Sequence, residues 1–211
     1  VQRRLAFAAP PLTRSGPVAE GDLTRVAAGL GMPREASWLV NGPDWIGVLL
    51  ESAELVLAVR PDYAAMAGLK VGVVGPHPAG SEVGFEVRTF IPGDAAAEDP
   101  VTGSFNAGAA QWLIGSGRAP ESYLAAQGTV LGRAGRVHID AVGEDIWVGG
   151  SSVSCIEGFV LLRTVERVVG RTARCAPVAL PVVVAIARAG GPGVTGQRRT
   201  GIKAPGPGFY R

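Results

Sequence analysis

The 211 residues carry 20 basic and 18 acidic side chains, a formal net charge of +2, and 47% of them are hydrophobic. That balance describes a packed globular chain; it excludes disorder throughout and a net charge that would by itself commit the protein to nucleic acid. The two cysteines, Cys155 and Cys175, have no Cys-x-x-Cys and no neighbouring histidine, which excludes zinc-finger spacing and a disulfide framework and leaves reduced thiols as the expectation.

At the amino terminus, Arg3 and Arg4 precede a short apolar stretch that stops at Pro10-Pro11, before a signal-peptide core is complete, so a cytoplasmic protein is expected. Arg4–Ala9 predicts a strand, and Gly21–Leu30 predicts an amphipathic helix with Leu23, Val26, Ala27 and Leu30 on one face, stopped by Gly31. The apolar runs Ser37–Val40 and Trp45–Leu50 flank Asn41-Gly42-Pro43-Asp44, dense turn chemistry that predicts paired strands. Ala53–Val59 and Asp62–Ala67 read as two short helical pieces, followed by strands at Lys70–Val74 and Gly84–Ile91.

From Pro100 or Thr102 to Gly115 the residues are alanine, glycine and apolar types almost all round, and a helix without a polar face is buried. The segments Ser122–Ala126, Arg136–Ile139, Ile146–Val148 and Val153–Leu162 then recur at a spacing that suits an antiparallel meander. Together these elements predict an α+β domain in which a curved, mostly antiparallel sheet surrounds one buried central helix.

Near Thr164 the chain changes character. Residues 1–163 hold 12 basic and 17 acidic side chains, whereas residues 164–211 hold 8 and 1, with eight glycines and five prolines. The expected organisation is therefore a domain over 1–163 and a basic, Gly/Pro-rich, poorly ordered tail over 164–211. The composition of that tail is what a shifted reading frame in a GC-rich gene would encode. Its apolar run, Ala176–Ala187, is interrupted by Pro181 and falls short of the roughly 20 residues that cross a bilayer, so no membrane partner is expected. Without aromatic interleaving or a recognisable motif it predicts no nucleic-acid partner either.

The chemistry concentrates in Glu98-Asp99-Pro100-Val101-Thr102-Gly103-Ser104. An aspartate before a proline suits a helix entrance, because the carboxylate caps free N–H groups while proline sits where its missing N–H is harmless. A second reading stands beside that one. Thr102, Gly103 and Ser104 open a buried helix at its positive end, which suits a bound carboxylate or phosphate, and a half-buried Asp99 beside such an anion would have its protonated form favoured, as a general acid requires. Glu98 either orients this loop or pairs with Arg88 or Arg133 at the surface. His77, in a loop, and His138, on a strand, lack metal-ligand company, so no metal site is expected and both histidines take structural or solvent-facing roles. Gly128, Gly132 and Gly135 do not form a dinucleotide fingerprint, since strand rather than helix follows them.

In order along the chain, Asn41-Gly42-Pro43-Asp44-Trp45, Arg60-Pro61-Asp62, Arg88-Thr89-Phe90-Ile91-Pro92, Glu98 to Ser104, Gln127-Gly128, Gly132 to Val137 and Val148-Gly149-Gly150 resemble the landmarks of the PhzF-like (phenazine biosynthesis-like) isomerase family over about residues 1–163. The resemblance implies the diaminopimelate-epimerase-like fold, in which two similar α+β domains face each other across the active site, and it matches this chain to the second domain. It further implies a proton shift on a small carboxylic acid without metal or coenzyme, with Asp99 a catalytic or positioning carboxylate, Thr102, Gly103 and Ser104 at the substrate, and a homodimer. Two departures stand out. Many relatives follow the signature with a small residue and histidine, where Phe105 and Asn106 stand here, and the Gly-Asn-Pro motif beside the family's principal acid/base glutamate does not occur. The first domain is thus expected to be missing and the chain alone to be weakly active or inactive. The alternative is a non-catalytic domain of the same fold that binds a small anion or a partner.

Overall fold

The computed structural model describes residues 4–31, 35–94, 97–163 and 177–187. In chain order the elements are β1 (Arg4–Ala8), β2 (Arg14–Gly16), α1 (Glu20–Leu30), β3 (Glu35–Val40), β4 (Asp44–Leu49), α2 (Ala53–Ala58), β5 (Lys70–Pro76), β6 (Phe85–Phe90), β7 (Glu98–Asp99), α3 (Gly103–Gly115), β8 (Ser122–Gln127), β9 (Gly135–Val142), β10 (Asp145–Arg163) and β11 (Pro177–Ala187). The strands form one sheet ordered β1-β10-β9-β8-β6-β5-β4-β3-β2, with β7 added to β6 and β11 to β10. All neighbours are antiparallel except β4 with β5 and β6 with β8. The α+β class and the mostly antiparallel sheet are as the sequence predicts.

Two apolar layers hold this sheet. On its inner side α3 buries Phe105 through Ala110 and Leu113 against Leu39, Trp45, Val74, Val87, Ala125, Ile139 and Val148, which come from seven strands. A helix contacting both flanks in this way makes the sheet curve around it, and the sheet stays open, with β1 and β2 as its ends. On the outer side α1 and α2 supply Val26 and Val56 to a second cluster with Trp38, Ile46, Val73 and Phe90. Neighbouring side chains along β3 to β5 therefore meet apolar partners on both faces, which is why Trp38–Val40, Trp45–Leu49 and Val71–Val74 read as near-continuous apolar runs, whereas β6 alternates and also buries Glu86, Arg88 and Thr89.

Phe105 fixes how closely α3 and the sheet approach. Its ring lies edge-on to Trp45, with centroids 5.5 Å apart, and fills the space over Gly72, where a methyl group would sit 2.1 Å from Phe105 Cε2. Gly72→Ala is expected to destabilise the domain by about 1–3 kcal/mol through overpacking. Urea unfolding followed by tryptophan fluorescence reads this, and an unchanged midpoint would mean that the helix is not seated so tightly.

Two elements depart from expectation. Asp62–Ala67 runs through turns rather than a helix: Asp62 Oδ1 accepts from the N–H groups of Ala64 and Ala65 at 2.9 and 3.2 Å as a helix cap would, but the N–H groups of Ala67 and Leu69 bond back only three residues, to Ala64 and Met66 at 3.3 and 2.9 Å, and Gly68 takes a left-handed φ of 79°. The strands expected at Ile146–Val148 and Val153–Leu162 are one strand, β10. Gly149 does not break it; the glycine lets β1 approach, since a Cβ there would lie 3.0 Å from Ala6 Cβ. In the expected tail, Pro177–Ala187 pairs with β10 from Ser152 to Arg163, while the remainder of 164–211, including Cys175, lies outside the described residues. Among the described residues no helix is long and apolar enough to cross a membrane.

Candidate functional site

The signature stretch lies at the start of α3, held against the sheet by β7. Asp99 and Glu98 pair with Thr89 and Phe90 of β6, and Gln127 ends the next strand, β8. Asp99 is half-buried. Its Oδ1 accepts from the Val101 N–H at 3.3 Å and its Oδ2 accepts from the Thr102 hydroxyl at 2.8 Å. Thr102, the N-cap residue, makes no side-chain cap, and the first turn of α3 carries no acidic residue. The free N–H groups that every helix presents at its start thus fall on Gly103 and Ser104, both partly exposed.

Each expected site residue has a definite place. Asp99, Gly103 and Ser104 come together at the helix start. The Ser104 hydroxyl accepts from Trp45 Nε1 at 3.0 Å, which leaves its own proton to donate, and the Ser104 carbonyl accepts from Asn41 Nδ2 at 2.8 Å. Gly103 lies under the Phe7 ring, with 3.6 Å between its Cβ position and Cε1. Thr102 is different. It is 6% exposed, and its hydroxyl faces Asp99, Thr89 and Gln127.

The inward contacts form a network that the sequence reading did not assign. Gln127 and Thr89 are fully buried and Asn106 nearly so. Gln127 Oε1 accepts from the Thr102 N–H at 3.1 Å and from Asn106 Nδ2 at 2.8 Å. Gln127 Nε2 faces the Asp99 carbonyl at 3.0 Å and the hydroxyls of Thr89 and Thr102, each at 3.1 Å. Amides inside the otherwise apolar runs Phe105–Ala110 and Ala125–Gln127 were the available signal, since a buried amide needs partners.

Glu98 is not a surface partner. It holds Arg88 bidentately at 2.8 Å from Nε and 2.8 Å from Nη2, with side chains 3% (Arg88) and 8% (Glu98) exposed. Arg88 Nη1 also donates to the Val56 and Val59 carbonyls at the end of α2. Burial pushes the nearby Tyr63 hydroxyl above its ordinary pKa, the Glu98 carboxylate adds to that, and Arg88 opposes it. Gly128 and Gly135 pack beneath the signature loop, where Cβ atoms would lie 2.7 Å from the Pro100 carbonyl and 2.5 Å from Val101 Cγ2 respectively. Those glycines serve close packing, not a phosphate cradle. His77 Nε2 sits 3.1 Å from the buried Glu86, which also accepts from Thr129 at 2.6 Å. No group of three or more His, Cys, Asp or Glu among the described residues is arranged to hold a metal.

The arrangement therefore places a carboxylate beside the open positive end of a buried helix. Such a terminus attracts an anion, and the adjacent acid can exchange a proton with whatever the anion belongs to.

Known proteins resemble this chain in sequence and fold. The model of the phenazine biosynthesis-like protein family (PhzC-PhzF) matches residues 7–158. An uncharacterized isomerase of Pseudomonas aeruginosa is 39% identical over 84 residues, which is 40% of this chain and 31% of the relative. Among solved structures, a PhzF-family phenazine biosynthesis protein of Enterococcus faecalis is 25% identical with a TM-score of 0.54, over 70% of this chain and 53% of that one. A PhzF-family protein of Bacillus anthracis, 14% identical with a TM-score of 0.56 over 71% and 58% of the two chains, shares the fold. So does a predicted epimerase of Pseudomonas aeruginosa, 20% identical with a TM-score of 0.50 over 70% and 55%. The chain thus spans little more than half the length of these solved structures. With a match running from β1 into β10 and through the whole Asp99 loop, the chain belongs to the phenazine biosynthesis-like (PhzF) family.

Proposed function

We propose that this chain supplies one half of an isomerase or epimerase site that moves a proton on a small carboxylic acid, without metal or coenzyme, in a cytoplasmic homodimer. The observation that carries the reading is Asp99 held beside the uncapped start of α3. The substrate carboxylate is received by the N–H groups of Gly103 and Ser104 and by the Ser104 hydroxyl. Asp99 acts on the ring or chain attached to it, as acid or as a positioning group. Thr102, whose hydroxyl is directed inward, contributes by orienting Asp99.

A proton shift between two carbons needs a second acid/base group within hydrogen-bond reach of the carbon acid. The Gly-Asn-Pro landmark of that group is absent from these 211 residues, so we propose that on their own they turn over slowly or not at all.

Solvent-deuterium incorporation into a panel of cyclohexene-, cyclohexadiene- and benzene-carboxylic acids tests this, with and without the amino-terminal domain of a two-domain relative. Exchange that appears or rises at least tenfold when that domain is added is the expected result. Brisk exchange by the chain alone would overturn the half-site statement. Binding of the same acids with no exchange in either condition would overturn the isomerase reading in favour of a non-catalytic anion-binding domain. No binding at all would remove the helix start as the site.

A further inference from the structure

Asp99 has two carboxylate oxygens, and the residues behind it treat them differently. Oδ2 faces inward to the Thr102 hydroxyl at 2.8 Å, and Oδ1 has the Val101 N–H at 3.3 Å, near the limit of a hydrogen bond. Behind Thr102 stand Thr89 and Gln127, both 0% exposed. Neither lies in the signature stretch; they come from β6 and β8.

The directions of the bonds follow from counting protons. Gln127 can face only one way, because its amide lies between a backbone carbonyl, that of Asp99, and a backbone N–H, that of Thr102. Turning it over would set oxygen against oxygen and N–H against N–H. Its Nε2 protons therefore point at Asp99 O and at the two hydroxyl oxygens. Each threonine hydroxyl then has one proton left to place. The two oxygens are 2.7 Å apart, so one must donate to the other. Thr102 also lies against a carboxylate oxygen, an acceptor when ionised. Thr102 accordingly donates to Asp99 Oδ2, and Thr89 donates to Thr102.

We propose that Thr89 and Gln127 are positioning residues of this site: with Thr102 they form a one-way hydrogen-bond relay that holds Asp99 by Oδ2 and reserves Oδ1 as the oxygen that carries and exchanges the substrate proton. The relay resists a proton on Oδ2, since Thr102 would then have to turn its own proton toward Thr89, placing two protons on the single 2.7 Å line between the two hydroxyl oxygens. The role assigned to Oδ1 rests on the proton-shift reading above. The direction of the relay does not.

Neutron diffraction of the deuterated chain near neutral pH reads the relay without any turnover. The expected map places deuterium on Thr89 Oγ1 along the line to Thr102 Oγ1 and on Thr102 Oγ1 along the line to Asp99 Oδ2. Deuterium on Asp99 Oδ2, or a Thr102 hydroxyl turned to Thr89, overturns the proposal. In solution, the Thr102 hydroxyl proton should exchange with water at least about tenfold faster in Thr89→Val, which lacks the donor, than in wild type or in Thr89→Ser, which retains it. Equal exchange in the two variants, with both shown to be folded by circular dichroism, also overturns it. In the complemented deuterium assay Thr89→Val should lower kcat about tenfold with KM within twofold, and Thr89→Ser should stay within about threefold of wild type. A loss confined to KM would remove the positioning role. If wild type exchanges no acid in the panel, the functional reading falls while the neutron map still decides the relay.

Discussion

Glu98→Ala is expected to destabilise the domain by about 3–5 kcal/mol, the cost of leaving one partner of a buried ion pair uncompensated. Arg88 has no route to water: it is 3% exposed, it lies 5.0 Å over the Phe90 ring, and its Nη1 is already committed to the Val56 and Val59 carbonyls. Two of its donors end on Glu98 at 2.8 Å each. Removing the carboxylate leaves those donors and a full charge behind. Glu98→Gln, which keeps oxygen at one position, should cost less, and Glu98→Leu combined with Arg88→Leu should recover part of the loss, though not the cap on α2. Urea unfolding monitored by tryptophan fluorescence measures all three. A Glu98→Ala cost below about 1 kcal/mol would show that the pair is wet.

Asp99→Asn should lower deuterium incorporation by the complemented chain by a factor of about 10² to 10⁴, the range a positioned acid or base contributes. The amide has the same shape, and its oxygen can still accept from Thr102, so the loop keeps its place. What it loses is the ability to carry an exchangeable proton at neutral pH, and its N–H₂ then faces the Val101 N–H that Oδ1 accepts from now. Binding of benzoate at the helix start, read by calorimetry, should hold or tighten, because a like charge beside the bound carboxylate is gone. Exchange within threefold of wild type would mean that Asp99 positions and does not transfer.

The parts of this structure legible in the sequence are those whose cause is local. The all-apolar run after Thr102 identified α3 because burial on every side leaves no place for charge, and Asn41-Gly42 marked the turn between β3 and β4, where Gly42 has φ of 134°. Asp99, Gly103 and Ser104 were legible as one group because adjacency in the chain places them on one helix end. Gln127, Thr89 and Asn106 were not. They lie in three separate elements, and only the strand order that sets β8 beside β6 brings them together. The same reason explains Glu98, which a sequence offers equally to Arg88 or Arg133 and which the β6–β7 pairing assigns to Arg88. Asp62 misled because a residue acceptable at a helix start also makes a turn, and composition does not choose between them.

The pairing of β1 with β10 bears on how the chain is made. Arg4 to Ala8 lie opposite Ser151 to Trp147, so β1 has no sheet neighbour until β10 has left the ribosome. At about 5–20 residues per second this is a wait on the order of 10 s. During it, Leu5 and Phe7, still 51% and 45% exposed in the finished fold, have no sheet to join. A contact of such long range forms late and slowly. The growing chain must therefore be kept from aggregating until β1 and β10 meet.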